Sequence, residues 1–190
     1  YLISGYVEET SRAYAIAKIA GISACKAYND EFNTRRFIAL VPASIYGPGD
    51  NFDLESSHVL GALMRKFYLA KINMEKRVVL WGSGKPQREF IYSEDVAYAT
   101  LFVLENISKL QNSHYNIGTG KEYSIKDLAG IVAKIVGFTG SIEWDKSMPD
   151  GNPRRILDSS QIFKLGWKPL NTIENGIKLT YKWYLKKACK

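Results

Sequence analysis

The amino-acid sequence predicts an α/β fold, and three observations support this prediction. Apolar residues recur with the helical period in some segments and with the strand period in others. The two kinds of segment alternate along the chain, as is typical of α/β proteins. The composition, 46% hydrophobic and 24% charged over 190 residues, is that of a folded globular protein and excludes a disordered one.

The beginning of the chain contains a predicted helix, a strand and a long loop. The helix begins at Ser11, a residue type that commonly caps helices, and its apolar positions follow the helical period as far as Tyr28. The apolar run 37–41 ends at a proline and predicts a buried strand. The stretch 42–57 is rich in Gly, Pro and Asp and too long for a simple connection, which indicates a functional loop.

The middle of the chain alternates between helix and strand. Ser56 or Ser57 is a candidate N-cap for a helix that runs to about residue 70. Short apolar runs at 78–81 and 89–92 predict two strands, which a turn rich in Gly and Pro connects.

The last part of the chain repeats this alternation. Ser93 is a candidate N-cap for a helix that ends near Leu104, and strands are predicted at 114–117 and 142–144. Between these strands Ser124 precedes a clearly amphipathic helix, and two further helices follow near the end of the chain. The predicted buried side of the helix after Ser124 consists of Ile125, Leu128, Val132 and Ile135. That of the last helix consists of Ile173, Ile177, Thr180, Tyr181 and Tyr184.

The strongest local signal is a tyrosine followed four residues later by a lysine, Tyr14 and Lys18, on the first predicted helix. Residues at this spacing lie on the same helical face, one turn apart. A positive charge close to a phenol favours the phenolate, so the pair can exchange a proton with an alcohol or ketone oxygen during hydride transfer. Taken alone, the motif favours a simpler interpretation, a packed aromatic ring beside a solvated lysine.

Further motifs give this pair a context. Together they resemble the extended short-chain dehydrogenase/reductase family, in its branch that modifies nucleotide sugars, and the resemblance covers nearly all of the chain in the family's order and spacing. The motifs are Tyr14-x-x-x-Lys18 with Ala20-Gly21, the run from Val41 to Phe52, Ser57-His58-Val59, the run from Val79 to Phe90, Asn116 to Gly120, and Pro149-Asp150-Gly151-x-Pro153-Arg154.

The resemblance implies a reaction and roles for three residues. The intact protein is expected to use NADP(H) to epimerise GDP-4-keto-6-deoxymannose at C3 and C5 and to reduce it at C4. Tyr14 is expected to give a proton to the 4-keto oxygen, and Lys18 to hydrogen-bond the nicotinamide ribose. His58 is expected to act as an acid in the epimerisation and to lie beside the cofactor, whereas a lone histidine is usually a core or capping side chain.

The resemblance also implies a cofactor-binding segment. Pro42, Ala43, Ser44 and Ile45 match the residues that lie along the nicotinamide half of the cofactor. This chain departs from the family here, because Ala43-Ser44 replaces the usual Thr-Asn. The hydroxyl of Ser44 can still form hydrogen bonds, but its reach differs from that of an amide.

Four residues are expected to surround the GDP-sugar: Lys66, Trp81, Arg88 and Asp150. A planar guanidinium can bind a diphosphate with two hydrogen bonds at once, which makes Arg88 the strongest candidate on physical grounds. Lys66 adds a positive charge, Trp81 an aromatic wall and Asp150 an acceptor for ribose hydroxyls or guanine amino groups. Their ordinary alternatives are a solvated lysine, a core tryptophan, a surface ion pair and a turn-forming aspartate.

The sequence lacks the Gly-rich strand–turn–helix with which a dinucleotide-binding domain begins. The chain starts at Tyr1 in a polar stretch typical of a loop, and the family's catalytic serine and cysteine would precede it. We therefore expect a C-terminal fragment, inactive alone, of a longer protein. Residues 1–58 are expected to belong to a Rossmann-like domain and 59–190 mainly to a smaller α/β substrate domain, with 89–117 completing the second half of the doubly wound parallel sheet.

Charge and cysteine content suggest the partners and the compartment. The net charge of +7 comes from scattered basic residues, which favours a phosphorylated small molecule over nucleic acid. Cys25 and Cys189 lack any paired or metal-binding spacing, so we expect a reducing cytoplasm, no metal site and a small buried side chain at Cys25. No apolar run approaches the roughly 20 residues of a membrane span, so no membrane association is expected.

Other interpretations remain open at this point. A related nucleotide-sugar epimerase or dehydratase would share Tyr14, Lys18 and much of the scaffold. The chain could also be a non-catalytic protein that binds a sugar nucleotide and has lost the cofactor half. The family commonly forms dimers through the helix that bears Tyr14, so the resemblance implies a homodimer.

Overall fold

The structure, a computed structural model, describes residues 5–188. The start of the predicted opening loop and Cys189 lie outside these residues. The helices are α1 (Arg12–Glu31), α2 (Val59–Ile72), α3 (Ser93–Glu105), α4 (Ile125–Val136), α5 (Ser160–Lys164) and α6 (Ile173–Ala188). The strands are β1 (Ala39–Pro42), β2 (Ser44–Tyr46), β3 (Arg77–Trp81), β4 (Gln87–Tyr92), β5 (His114–Ile117), β6 (Glu122–Ser124), β7 (Ser141–Asp145) and β8 (Arg154–Arg155).

The predicted α/β class is confirmed by the way the strands pair. β1 pairs with β5, β2 with β4, β3 with β7 and β4 with β8, and all four pairs are parallel. β6 pairs with β4 in the antiparallel direction. Parallel pairs need crossover connections, which the intervening helices provide. No helix formed by residues 5–188 combines the length and the apolar character needed to cross a bilayer.

Strand β4 lies between two hydrophobic cores. Phe90 and Tyr92 pack into a core with α2, α4 and α6, whereas Ile91 packs into a second core with α3, β5 and α5. Successive side chains of a strand point to opposite faces of the sheet, so a single strand serves both cores. This arrangement brings Arg88, two residues before Phe90, to the edge of the first core.

Helix α4 shows how closely local sequence signals can fix an element. The Oγ of Ser124 accepts a hydrogen bond of 3.0 Å from the backbone N–H of Asp127 and so caps the helix, as predicted. The helix ends at Gly137, which adopts a left-handed conformation with φ 80°. Leu128 and Val132 are completely buried against the first core, as their spacing predicted.

Replacing Ser124 by alanine is expected to lower the free energy of unfolding by about 1 kcal/mol, because an N-terminal amide of α4 loses its acceptor. Ser11 offers a matched control, since it is the N-cap of α1 but its side chain makes no capping hydrogen bond. Ser11→Ala is expected to leave the free energy of unfolding nearly unchanged. Urea titrations of both variants test this, and equal losses would contradict it.

The predicted strand 37–41 is displaced in the structure. β1 begins at Ala39 and is only half-buried, and Phe37 is exposed outside it. The side chain of Asn29 pairs with the backbone of Phe37, accepting from its N–H at 3.1 Å and donating to its carbonyl at 2.7 Å. The ring of Phe37 packs on Tyr28, with centroids 5.3 Å apart. These contacts with α1 keep Phe37 out of the sheet.

The predicted loop 42–57 and the start of the next helix also need correction. The loop contains the short strand β2, and α2 begins at Val59 rather than after Ser56 or Ser57. The carboxylate of Asp53 captures the backbone N–H and the hydroxyl of Ser56 in a local turn. This turn competes with helix formation, so α2 begins further along the chain than predicted.

Smaller differences concern residues whose burial depends on distant contacts. The two-residue strand β8 and the strand β6 were not predicted, because neither shows an apolar alternation. Cys25 is half-buried rather than buried, because Ile22 is the buried residue of α1. Ser93, the predicted N-cap, is the first residue of α3, and the cap position falls on Tyr92.

Candidate active site

Tyr14 and Lys18 lie together on α1, as their spacing predicted. The ammonium nitrogen of Lys18 is 5.4 Å from the centroid of the Tyr14 ring, within the range of a cation–π contact. Tyr14 is 64% exposed, so its ring is not packed in a core. The pair is therefore available to a ligand.

His58 occupies the N-cap position of α2 and is exposed. Its carbonyl accepts the backbone N–H of Ala62 at 3.0 Å, so the backbone of His58 is fixed at the entrance to the helix. The preceding loop is held against α2 by Arg65, which donates to the carbonyl of Phe52 at 3.3 Å. A side chain at Gly61 would collide with the carbonyl of Asn51, so the close approach of this loop requires glycine.

The segment from Pro42 to Ile45 continues β1 at its carboxyl end, where parallel α/β sheets bind ligands. Pro42 pairs with Ile117, and the N–H of Ala43 donates to the Ile117 carbonyl at 2.9 Å. Ser44 then enters β2. The segment thus passes from the second core towards the first, and Ser44 is half-buried.

Lys66 and Trp81 meet at the end of β3. Val78 and Leu80 point into the first core, so the alternation of the strand leaves Trp81 on the outer side, 68% exposed. The ammonium nitrogen of Lys66 on α2 lies 5.5 Å from the centroid of the Trp81 ring. Trp81 is therefore an exposed aromatic surface beside a cation and not a core tryptophan.

Asp150 is bound to the turn that follows Trp81. Its carboxylate accepts the N–H of Ser83 at 2.8 Å and the hydroxyl of Ser83 at 2.6 Å. Gly82 has φ 78°, and a side chain there would collide with the carboxylate. Because both oxygens of Asp150 already accept hydrogen bonds, the residue ties the loop before β8 to the turn after β3.

These hydrogen bonds lower the pKa of Asp150, with the Ser83 hydroxyl as the largest cause and the Ser83 amide as the next. Because this pKa is lowered, the stabilisation from the contact between Asp150 and Ser83 is fully present above the ordinary pKa of 3.8. It is lost as the pH falls through the lower pKa that Asp150 has in the folded protein.

We expect the carboxyl carbon of Asp150 to titrate with a midpoint below 3.8 in an NMR experiment on the protein. Ser83→Ala removes the largest cause and is expected to move the midpoint of Asp150 upward. A midpoint at or above 3.8 in the unchanged protein would show that the contact does not form in solution.

Arg88 is held by backbone carbonyls rather than by an acid. Its Nη1 donates to the carbonyls of Gln87 at 2.8 Å and Asn152 at 2.6 Å. A side chain at Gly151 would approach Nη2 to 3.2 Å, so a glycine lets the loop pass over the guanidinium. The pKa of Arg88 is lowered, first by burial and then by the charge of Arg155.

Arg155 is a candidate site residue that the sequence analysis missed. It lies directly opposite Arg88 in the parallel pairing of β8 with β4. Its neighbour Arg154 is neutralised by Glu122, with Nε 2.7 Å from Oε2. Within residues 5–188 Arg155 forms no salt bridge, and its positive charge contributes to lowering both the pKa of Arg88 and the pKa of the Glu8 carboxylate. The Pro-Arg-Arg sequence at 153–155 was the available signal.

One contact connects this region with the segment that leads into α1. The amide of Asn152 donates to the carboxylate of Glu8 at 3.1 Å. The contacts around Trp81, Asp150 and Arg88 therefore form a continuous series that reaches the approach to the Tyr14 helix. Ser44 and Ile45 pair with Phe90 and Ile91 of β4, the strand that carries Arg88. Among the residues described, no hydrogen bond or ring contact joins His58 to this series.

Parallel strands, crossover helices and polar groups at strand ends define a Rossmann-like α/β protein. The chain belongs to the NAD dependent epimerase/dehydratase family, whose model matches residues 3–118. This family membership agrees with the resemblance found in the sequence.

Similar proteins extend the match to almost the whole chain. The GDP-L-fucose synthase 1 of Arabidopsis thaliana is 47% identical over 188 residues, which are 99% of this chain and 57% of that protein. A GDP-6-OMe-4-keto-L-xylo-heptose reductase from C. jejuni has 37% identity and a TM-score of 0.87, covering 97% of this chain and 63% of that one. A GDP-L-fucose synthetase from Naegleria fowleri bound to NADP has 28% identity and a TM-score of 0.82, covering 97% and 58%. This chain thus spans little more than half the length of its relatives.

Proposed function

We propose that the protein containing this chain is a GDP-L-fucose synthase, which epimerises GDP-4-keto-6-deoxymannose at C3 and C5 and reduces it at C4 with NADPH. The pairing of Arg88 on β4 with Arg155 on β8, which places two cationic residues side by side, is the observation that carries the substrate half of this proposal. Relatives with this name match the chain at up to 47% identity over nearly its whole length, and this supports the same assignment.

The diphosphate of the substrate is the ligand that fits these cations. Like charges directly opposite each other in a sheet destabilise it, and a bound dianion would offset this cost. Lys66 adds a third positive charge beside Trp81, whose exposed ring can stack on a base or cover a sugar. Asp150 holds the turn after Trp81 and so fixes this wall of the site.

The residues of this chain suit the nicotinamide half of NADP(H). Lys18 is exposed and within one turn of Tyr14, so its ammonium can hydrogen-bond ribose hydroxyls. The segment 42–45 lies at the carboxyl end of β1 and His58 at a helix entrance, and both are expected to line the same half. When bound, the reduced nicotinamide supplies the hydride.

Two residues of this chain are proposed to move protons. Tyr14 gives its phenolic proton to the 4-keto oxygen as the carbonyl carbon accepts the hydride, so the ketone becomes an alcohol and the phenolate is left beside Lys18. His58 acts as the acid in the epimerisation. The base that takes the proton from the carbon next to the carbonyl is expected to be the family's cysteine, which would precede Tyr1. His58 then gives a proton to the opposite face of the same carbon, which inverts it without net redox change.

We also propose the organisation of the intact protein. The core around Ile91 corresponds to part of the Rossmann-like domain, and the core of α2, α4 and α6 to the substrate domain. In α1 Ile22 is the buried residue, while Ile16 and Tyr28 are exposed, so this helix offers a surface for a homodimer contact. The protein is expected to act in the cytoplasm.

The experiment supplies the full-length protein that contains this chain with GDP-4-keto-6-deoxymannose and NADPH in deuterated water. The proposal predicts GDP-L-fucose with deuterium at C3 and C5. Reduction without deuterium at these carbons would indicate a simple C4 reductase instead. Sustained turnover by residues 1–190 alone would contradict the proposed need for the remaining cofactor half.

A further inference from the structure

We propose that Glu89 is a positioning residue that keeps Arg155 opposite Arg88 and thereby forms the diphosphate site. This inference rests on the proposed function. It concerns a buried carboxylate, 1% exposed, which the proposed reaction does not use.

The carboxylate of Glu89 joins two separate segments of the chain. Its Oε1 accepts the backbone N–H groups of Thr119 at 2.6 Å and Gly120 at 2.8 Å. Its Oε2 accepts the N–H of Leu157 at 2.9 Å. A side chain at Gly118 would collide with Oε1, so the turn after β5 approaches the carboxylate as closely as glycine allows.

The bond to Leu157 matters because it fixes the chain just after Arg155, whereas the pairing of Arg154 with Glu122 holds only the preceding residue of β8. This strand has two residues, both exposed, and it pairs only with β4 among the strands of residues 5–188. Before Arg155, the N–H of Gln87 donates to the carbonyl of Pro153 at 2.8 Å. After Arg155, the bond from Leu157 to Glu89 fixes the chain again. Arg155 is thus held in register from both sides by bonds to neighbouring positions of β4.

Glu89→Gln tests this role with almost no change in shape. The amide has one acceptor oxygen and one donor NH₂ group. If the oxygen keeps the two bonds from Thr119 and Gly120, the NH₂ group faces the N–H of Leu157, and two donors oppose each other. The variant therefore releases the chain immediately after Arg155, and a buried N–H loses its acceptor.

Asp95 provides a matched control. It is also 1% exposed. Its carboxylate also accepts three N–H groups, from the backbone of Leu170 at 2.9 Å and from the backbone and side chain of Asn171, each at 3.2 Å. It anchors the segment before α6 and not β8. Asp95→Asn therefore causes a similar local disturbance away from the two guanidiniums.

The test measures the Kd of GDP by titration calorimetry on the full-length protein and its variants. Glu89→Gln is expected to raise the Kd about tenfold, which corresponds to the loss of one charged hydrogen bond. Asp95→Asn is expected to change the Kd less than about twofold, although both variants are expected to be destabilised in thermal unfolding. In an Arg155→Ala background, Glu89→Gln is expected to add almost nothing, because the residue that it positions is gone.

The outcomes separate this inference from the proposed function. If the unchanged protein does not bind GDP, or if Arg88→Ala leaves the Kd unchanged, the proposed function fails. If GDP binds but Glu89→Gln and Asp95→Asn raise the Kd equally, Glu89 has only a structural role and the inference is overturned. An undiminished effect of Glu89→Gln without Arg155 would overturn it as well.

A second variant covers the case in which Glu89→Gln does not fold. Glu89→Asp keeps the charge and both acceptor oxygens but is one methylene shorter, so it cannot reach Gly120 and Leu157 together. We expect a raised Kd of GDP for this variant too, and a Kd equal to that of the unchanged protein would count against the positioning role.

Discussion

Replacing Tyr14 by phenylalanine is expected to lower the kcat of the full-length protein by about 10²- to 10⁴-fold, the usual contribution of a positioned acid. The variant removes the phenolic proton and leaves the ring beside Lys18. The Kd of the GDP-sugar is expected to remain nearly unchanged, because the proposed diphosphate contacts are made by other residues. Steady-state oxidation of NADPH measures kcat, and calorimetry measures the Kd.

Tyr28 supplies the control for this prediction. It lies on the same helix and is 53% exposed, but the residue four positions later is Phe32, whose ring stacks on it at 6.0 Å. Tyr28 therefore has a phenol without the neighbouring ammonium. Tyr28→Phe is expected to keep full activity. If Tyr14→Phe also kept it, Tyr14 would not be the proton donor.

The helices were predictable from the sequence because their signals are local. In α4 the capping serine, the apolar spacing and the terminal glycine lie within a few turns of one another. In α6 the predicted inner side is buried in full, from Ile173 to Tyr184. The relation of Tyr14 to Lys18 was predictable for the same reason, since four residues of helix determine it.

The features that the sequence did not reveal depend on contacts between distant residues. The sequence predicts Ser56 as a candidate helix cap, but in the structure its hydroxyl and its N–H both donate to the carboxylate of Asp53. The strand β8 has no apolar alternation, because both of its residues are exposed and its register is set by β4. The role that we propose for Arg155 rests on that register. The sequence motif suggests that Arg88 binds the substrate, but it does not reveal that Arg155 pairs with Arg88 in the sheet.

Asp150 illustrates a second limit of prediction from the sequence. The sequence motif predicted an acceptor for the ribose or the guanine, and the structure adds a contact to Ser83 that no spacing indicated. The role of Asp150 towards the ligand stays a prediction. Its contact with Ser83 gives the loop before β8 a fixed position in either case.

Arg88→Ala is expected to raise the Kd of GDP by about 10- to 150-fold, the range for the loss of a charged hydrogen bond of about 1.5–3 kcal/mol. Arg88→Lys keeps the charge but loses the planar pair of donors, so most of this loss is expected to remain. Arg155→Ala is expected to weaken binding as well, and the double variant to weaken it most.

Arg77 is the control for these measurements. It is an exposed arginine on β3 whose Nη1 lies 3.6 Å from Oε2 of Glu143. Surface ion pairs of this kind contribute little to stability. Arg77→Ala is expected to change the Kd of GDP less than about twofold. The salt dependence of binding gives a further criterion, because a diphosphate held by two guanidiniums is bound less tightly as salt screens the charges. If Arg88→Ala reduced neither the affinity nor its salt dependence, Arg88 and Arg155 would not form the proposed diphosphate site.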